Sequence, residues 1–249
     1  DMSEEQLDRI DVIADGGVRD LFSFGSITNS LMSALLARGR DVHFYNNFEP
    51  FRVHADMPFE ANAIDYSQTG RHLMVRYGSL DATEQELIDG DGGHVGTVDQ
   101  IFNRLLTVLL GMSARWPDGD YDVVNWNPAG LNITDRFVDS HGRETPYTVV
   151  LPPGYNDPEY ADQTYPVVYF LHGYGMKPED LVATGLVFPT FMTDRNLPAL
   201  QRMQKMIFVF PDGRCRNNPD PESPDYGSDG CIRGTFFVDS WRDDGPATE

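Results

Sequence analysis

The sequence predicts an α/β fold, in which helices flank a mainly parallel sheet. Near the start of the chain, a strand pattern, a helix pattern and a second strand pattern follow one another. In the second half, two short runs are almost wholly apolar, as is typical of central strands that helices cover on both faces. A chain of 249 residues is long enough for one full α/β domain or for two incomplete ones.

The first half begins with three predicted elements. Residues 9–14 indicate a short strand, and Asp15-Gly16-Gly17 indicates the turn that ends it. Residues 26–38 carry apolar side chains at helical spacing, and Gly39 stands where a left-handed cap ends a helix. Residues 41–48 alternate apolar and polar side chains, as a strand does. The apolar face of the helix is predicted to consist of Ile27, Leu31, Ala34 and Leu35.

Four segments complete the first half. Residues 49–69 show no sustained period and indicate an inserted loop, after which residues 71–77 read as a strand. The glycines in residues 89–94 predict a tight loop, because they raise the entropic cost of regular structure. A long helix follows and ends at Trp116-Pro117. Its predicted apolar face consists of Val98, Ile101, Leu105, Val108, Leu109 and Met112.

A composition shift divides the chain. Residues 118–130 are rich in Asp, Gly, Asn and Pro, and they indicate a linker between a domain at 1–117 and a domain at 131–249. The predicted elements of the second domain are strands at 147–151, 166–171 and 206–210 and a helix at 188–204.

The charge of the chain limits its partners. There are 39 acidic side chains against 19 basic ones, which gives a net charge of −20. Such a charge repels phosphate backbones and anionic membrane surfaces, so we expect no nucleic-acid partner. No apolar run approaches the roughly 18 residues of a membrane span. The acidic side chains are expected to form a solvated surface.

The chain has two cysteines, Cys215 and Cys231, which flank a stretch rich in Asn, Pro, Asp, Ser and Gly. Such a stretch cannot order itself by burying apolar surface, so a cross-link that limits its unfolded entropy is expected. The pair therefore indicates a disulfide and an oxidising, secreted or periplasmic location. Two free thiols in a cytoplasmic protein remain the competing interpretation.

A glycine turn follows the second strand of the second domain, at His172-Gly173-Tyr174-Gly175. With residues 149–155 before it and Val209-Phe210-Pro211-Asp212-Gly213 after it, this segment resembles the esterase D-like branch of the α/β-hydrolases, which includes feruloyl and acetyl-xylan esterases. The resemblance covers about residues 132–240, the front half of such a domain. It implies that the Tyr174 amide is an oxyanion-hole donor and that Gly173 supplies the turn.

The nucleophile of that family is missing. A Gly-x-Ser-x-Gly elbow should follow on the next strand and helix, but no serine of this chain fits the pattern, neither Ser113 nor Ser228. The resemblance therefore predicts an incomplete α/β-hydrolase fold, without its nucleophile-elbow segment.

Residues 9–116 more weakly resemble the back half of the same kind of domain. By this resemblance Asp20 takes the place of the catalytic acid and His94 that of the base. A glycine-flanked loop lets the imidazole approach a nucleophile, and a carboxylate fixes its tautomer. The separation of the two is long for the family, so Asp65, Asp81 and Asp91 also remain candidates for the acid.

These patterns together indicate a fragment of a serine carboxylic-ester hydrolase. Its substrate is expected to be a small-molecule or polysaccharide-linked ester. Either the chain is cut from a longer tandem-hydrolase protein or it is a permuted single domain that lacks its central segment. A non-catalytic binding module with hydrolase architecture is the competing hypothesis. No cofactor is implied, and the acidic clusters lack the spacing of a metal site.

Overall fold

The computed structural model describes residues 3–46, 71–115, 132–138, 144–173, 176–193 and 202–214. The chain divides into two compact units. One consists of Asp1–Pro117 with Asn196–Arg202, and the other of Asp118–Arg195 with Met203–Glu249. In each unit the described strands form a sheet with flanking helices, so the fold class is α/β.

The first unit contains a three-stranded parallel sheet. Its elements are α1 (Glu4–Leu7), β1 (Val12–Gly17), α2 (Phe24–Ala37), β2 (Val42–Asn46), β3 (His72–Tyr77), α3 (Glu84–Ile88) and α4 (Val98–Arg115). The strand order is β1-β3-β2, and His72 is in register with both Val12 and Val42. The side chains of β3 are buried on both faces, as expected of the middle strand of a parallel sheet.

Helix α2 packs on this sheet through two side chains. Met32 and Leu35 form a buried cluster with Val42, Met74 and Leu7. The helix ends in a Schellman motif: the Gly39 amide donates to the Leu36 carbonyl at 2.9 Å, and the Arg40 amide donates to the Leu35 carbonyl at 3.0 Å. Gly39 has φ 74°, so the predicted left-handed cap is confirmed.

The predicted apolar faces of the two long helices are partly wrong. On α2, Ile27 is 57% exposed and Leu31 is also exposed, whereas Met32 is buried. On α4, Val98 is 81% exposed. The buried residues of α4 are Leu106, Thr107, Leu109, Leu110, Gly111 and Ser113. Both helices carry apolar side chains on more than one face, so the sheet decides which face is covered.

The first strand also differs from its prediction. It continues through Asp15-Gly16-Gly17, which the sequence marks as a turn. Gly16 and Gly17 pair in parallel register with Arg76 and Tyr77 of β3. The ladder with β3 therefore overrides the weak strand preference of glycine.

The second unit contains a mixed sheet. Its elements are β4 (Asn132–Val138), β5 (Glu144–Val150), a 3-10 turn (Pro158–Tyr160), β6 (Val167–Tyr169), α5 (Pro178–Gly185), α6 (Phe188–Thr193) and β7 (Ile207–Pro211). The strand order is β4-β5-β7-β6; β4 and β7 are both antiparallel to β5, whereas β6 and β7 are parallel. The expectation of a mainly parallel sheet therefore fails in this unit.

Of the two apolar runs, one is central and the other lies at the edge of the described sheet. Phe208 and Phe210 of β7 are fully buried, and the Phe170 ring packs on both, with centroid distances of 5.3 and 5.0 Å. Strand β6, which was expected to be covered on both faces, pairs with β7 alone among the described strands, and Tyr169 is exposed.

No helix in the described parts of either unit is long and apolar enough to cross a membrane.

Candidate active site

Asp20 and His94 meet at the carboxyl edge of the parallel sheet. Asp20 lies in the turn after β1, and His94 lies in the glycine-rich loop after α3. The Nδ1 atom of His94 is 3.2 Å from Oδ1 and 3.4 Å from Oδ2 of Asp20. The strands β1 and β3, which lead toward these loops, are neighbours in the sheet. Their pairing brings together two side chains that are 74 positions apart in the sequence.

The environments of the two side chains differ. The Asp20 side chain is 3% exposed, and the Phe22 amide donates to its Oδ1 at 2.8 Å. The His94 side chain is 44% exposed. A carboxylate that accepts a hydrogen bond from Nδ1–H leaves the Nε2 lone pair free to accept a proton. The geometry is that of an oriented general base.

Two aromatic rings contact the imidazole. The Phe22 ring meets it edge-on at a centroid distance of 4.9 Å, and the Phe24 ring stacks on it at 5.2 Å. The rings restrict the rotation of an otherwise half-exposed side chain. No motif pointed to them, although two aromatic residues two and four positions after a candidate acid are a usable signal.

Asp91, which the sequence also offers as the acid, has a different set of partners. Its carboxylate accepts hydrogen bonds from Arg19 Nη1 at 3.0 Å, from the Ser79 amide at 2.8 Å and from Gln100 Nε2 at 2.6 Å. Asp91 therefore ties the His94 loop to the segments after β1 and β3 and to α4. The carboxylate that contacts the His94 imidazole is that of Asp20. Asp81 has no described contact with His94, and Asp65 lies outside the described residues.

The glycines of this region allow three backbone segments to touch. A Cβ on Gly17 would lie 2.2 Å from the Gly92 carbonyl oxygen, and a Cβ on Gly78 would lie 2.5 Å from the Gly92 Cα. Gly78 and Gly92 also have positive φ, 109° and 66°. Glycine is therefore required both for space and for conformation.

A groove of about 860 Å³ opens beside Asp20 at the same sheet edge. Hydroxyl and amide groups form much of its wall, and they belong to Ser23, Ser26, Asn29, Ser30, Tyr45 and Asn46. Within the described ranges, no three His, Cys, Asp or Glu side chains gather in a way that could hold a metal ion.

In the second unit, His172 fixes the turn that carries the predicted oxyanion residues. Its Nε2 accepts a hydrogen bond from the Gly213 amide at 2.9 Å, and its Nδ1 donates to the Gly173 carbonyl at 3.0 Å. The imidazole is buried, and its two hydrogen bonds link the segment after β6 to the segment after β7. Gly173 is described, whereas Tyr174 lies outside the described residues.

The remaining predicted positions fall in two groups. Ser113 is buried in α4, and its hydroxyl donates to the Leu109 carbonyl at 2.8 Å, which leaves it unsuited to attack a substrate. Cys215, Cys231 and Ser228 lie outside the described residues, so the disulfide stays a prediction.

No family model matches the chain, and no curated protein matches it. Among solved structures that it resembles is a ferulic acid esterase, with 28% sequence identity and a TM-score of 0.27. The match covers 33% of this chain and 30% of that one, so the chain spans about a third of the esterase.

Proposed function

We propose that the chain is part of a serine carboxylic-ester hydrolase in which Asp20 and His94 form the acid and base of the triad. The observation that carries the proposal is the 3.2 Å contact between His94 Nδ1 and a carboxylate that is nearly fully buried. A surface ion pair needs no such burial. A buried carboxylate that orients a solvent-accessible imidazole is the arrangement of the acid and base in a serine-hydrolase triad.

The mechanism follows from this geometry. His94 Nε2 takes the proton of a serine hydroxyl as that oxygen attacks the ester carbonyl, and Asp20 stabilises the imidazolium that forms. The same imidazole then protonates the leaving alkoxide. In the next half-reaction it activates the water that releases the acid. The serine is not supplied by a Gly-x-Ser-x-Gly motif of this chain.

The glycine turn of the second unit supports the oxyanion part of the proposal. His172 holds the Gly173 carbonyl on one side and the Gly213 amide on the other. A turn fixed in this way can present the Tyr174 amide to an oxyanion without reorganising during the reaction. Because the described strands form two sheets, we favour the tandem arrangement, in which the units belong to successive hydrolase domains. The Tyr174 turn and the Asp20–His94 pair then serve different active sites of the same kind.

The groove beside Asp20 supports the proposed substrate class. Its hydroxyl and amide groups can hydrogen-bond to a polar alcohol portion, such as that of a polysaccharide-linked ester. A secreted or periplasmic location, with Cys215 bonded to Cys231, completes the proposal.

Hydrolysis of p-nitrophenyl acetate tests the role of the pair. Because the serine is absent, we expect at most general-base activation of water by His94, which accelerates this reaction by roughly 10² to 10⁴ over buffer. The substitutions H94Q and D20N should remove the acceleration, and a serine-directed phosphonate should leave it unchanged. The matched control is H43Q, because His43 Nε2 also lies 3.2 Å from a carboxylate, that of the exposed Asp41.

The same assay separates esterase chemistry from a binding role. If the wild type, H94Q and H43Q all react at the rate of buffer, the chain is better described as a non-catalytic binding module with hydrolase architecture. Turnover that the phosphonate abolishes would show that a serine of this chain acts as the nucleophile, with Ser228 the first to replace.

A further inference from the structure

The Tyr77 hydroxyl lies directly beneath the His94 loop. Its single proton is shared, in a bifurcated hydrogen bond, between the Gly93 carbonyl at 2.8 Å and the His94 carbonyl at 3.0 Å. These carbonyls flank the Cα of His94, so one hydroxyl fixes the peptide on each side of it. Tyr77 itself is the last residue of β3 and is 1% exposed.

The Tyr77 ring is held in place by α4. The Arg104 guanidinium lies over the ring, 4.7 Å from its centroid, and forms a 3.0 Å ion pair with Asp15 of β1. The same guanidinium donates to the Val95 carbonyl at 3.3 Å. The carbonyls of three successive residues, 93 to 95, are therefore bound from below by two side chains of the sheet and α4.

The loop gains from such an anchor because its glycines raise the entropic cost of ordering it. Gly90, Gly92 and Gly96 all have positive φ, and each loses more conformational entropy on ordering than a residue with a side chain. Burial raises the pKa of the Tyr77 phenol above its ordinary value of 10.0. The phenol therefore stays protonated and remains a donor across the working pH range.

We propose that Tyr77 is a positioning residue for His94: its hydroxyl holds the loop so that Nδ1 of the imidazole faces Asp20. The catalytic meaning of this role rests on the proposed function. The role itself concerns the geometry of the pair and is measurable without substrate.

The test is Y77F, which removes the hydroxyl and keeps the ring. The measured quantity is the exchange rate of the His94 Nδ1 proton by NMR, together with the imidazole tautomer. Loss of a buried hydrogen bond is expected to raise the exchange rate by about fivefold to tenfold and to mix the tautomers. Y169F, at the exposed Tyr169 of β6, serves as the control for loss of a phenol hydroxyl.

A general loss of stability must be separated from a positioning effect. L35A removes a buried side chain of α2 that belongs to the core of the same unit, so it lowers stability without touching the loop. The inference requires that L35A leave the exchange rate of the His94 Nδ1 proton nearly unchanged, although L35A lowers the unfolding free energy by as much as Y77F or more. It is overturned if L35A matches Y77F, or if Y77F shifts the exchange rate by less than about twofold.

A measurement on the wild type guards against failure of Y77F to fold. The Tyr77 hydroxyl proton should be protected from solvent exchange and should cross-relax with the backbone of His94. A hydroxyl proton that exchanges freely overturns the inference. An inactive chain that nevertheless shows the expected NMR behaviour counts against the proposed function and leaves the role of Tyr77 intact.

Discussion

Replacing Asp91 by asparagine should loosen the first unit at the candidate site. One oxygen of Asp91 accepts from Arg19 and from the Ser79 amide, and the other accepts from Gln100 Nε2. In D91N, an NH2 group replaces one of the two oxygens. At either position this NH2 group faces a hydrogen-bond donor and cannot accept from it. Gln100 cannot simply reverse its amide, because its Oε1 accepts from the backbone amides of Gly92 and Thr97 at 3.2 and 3.1 Å.

The size of the effect follows from these contacts. At least one donor loses its acceptor on the Asp91 carboxylate, whose side chain is 11% exposed, which costs about 1–3 kcal/mol, and the charge-assisted bond from Arg19 is weakened as well. Arg19 is 32% exposed, so solvent screening limits that second contribution. We expect a total loss of about 2–3 kcal/mol in the opening free energy of this region.

Native-state hydrogen exchange measures this loss without requiring the whole chain to unfold in one step. The reporter amides are those of Ser79 and of Arg19, whose amide donates to the Gly92 carbonyl at 2.7 Å. Their exchange should accelerate by about 30-fold to 150-fold in D91N. The control is D89N, in the same loop, where an asparagine oxygen can still accept from Gln85 Nε2. An acceleration below about threefold in D91N, or one equal to that of D89N, refutes the reasoning.

Three further predictions concern stability and covalent structure. Burial lowers the pKa of His72 from its ordinary value of 6.5, so the neutral form is favoured in the folded state. The contribution of His72 to stability is therefore complete above about pH 6.5 and is lost as the pH falls toward the pKa of the folded state. In urea unfolding between pH 8 and pH 5, the unfolding free energy should decrease less in H72F than in the wild type. An equal decrease in the two proteins argues against this assignment. G17A places a Cβ against the Gly92 carbonyl oxygen and should cost about 1–3 kcal/mol, whereas G39A, at a position with open space, carries the cost of positive φ alone. Mass spectrometry of the protein exported to an oxidising compartment should show Cys215 bonded to Cys231, and two alkylatable thiols would remove the argument for a secreted location.

Local signals in the sequence were sufficient for elements whose geometry is local. The cap at Gly39, the helix from Val98 and the strand from His72 each follow from short-range pattern and were predicted close to their observed bounds. The end of β1 was not, because pairing of Gly17 with Tyr77 is a contact across 60 positions. The mixed second sheet likewise depends on which strands become neighbours, and periodicity within a strand does not encode that.

The site shows the same division. Asp20 and His94 were predicted from their glycine-rich surroundings and from a family resemblance, and the structure brings the two side chains together. The partners of Asp91 were not predicted, because Arg19 and Ser79 reach it from the segments that follow two separate strands. Carboxylates in one glycine-rich loop look alike in sequence, and the tertiary contacts distinguish them.

The strand order of the first sheet has a consequence for engineering. Asp20 and His94 follow β1 and β3, which are neighbours, whereas β2 is paired on the far side of β3. The connection between Asn46 of β2 and His72 of β3 therefore does not set the distance between the acid and the base. A reporter or recognition domain grafted into this connection should leave the acid–base pair assembled, which makes the chain a candidate host for insertional fusions.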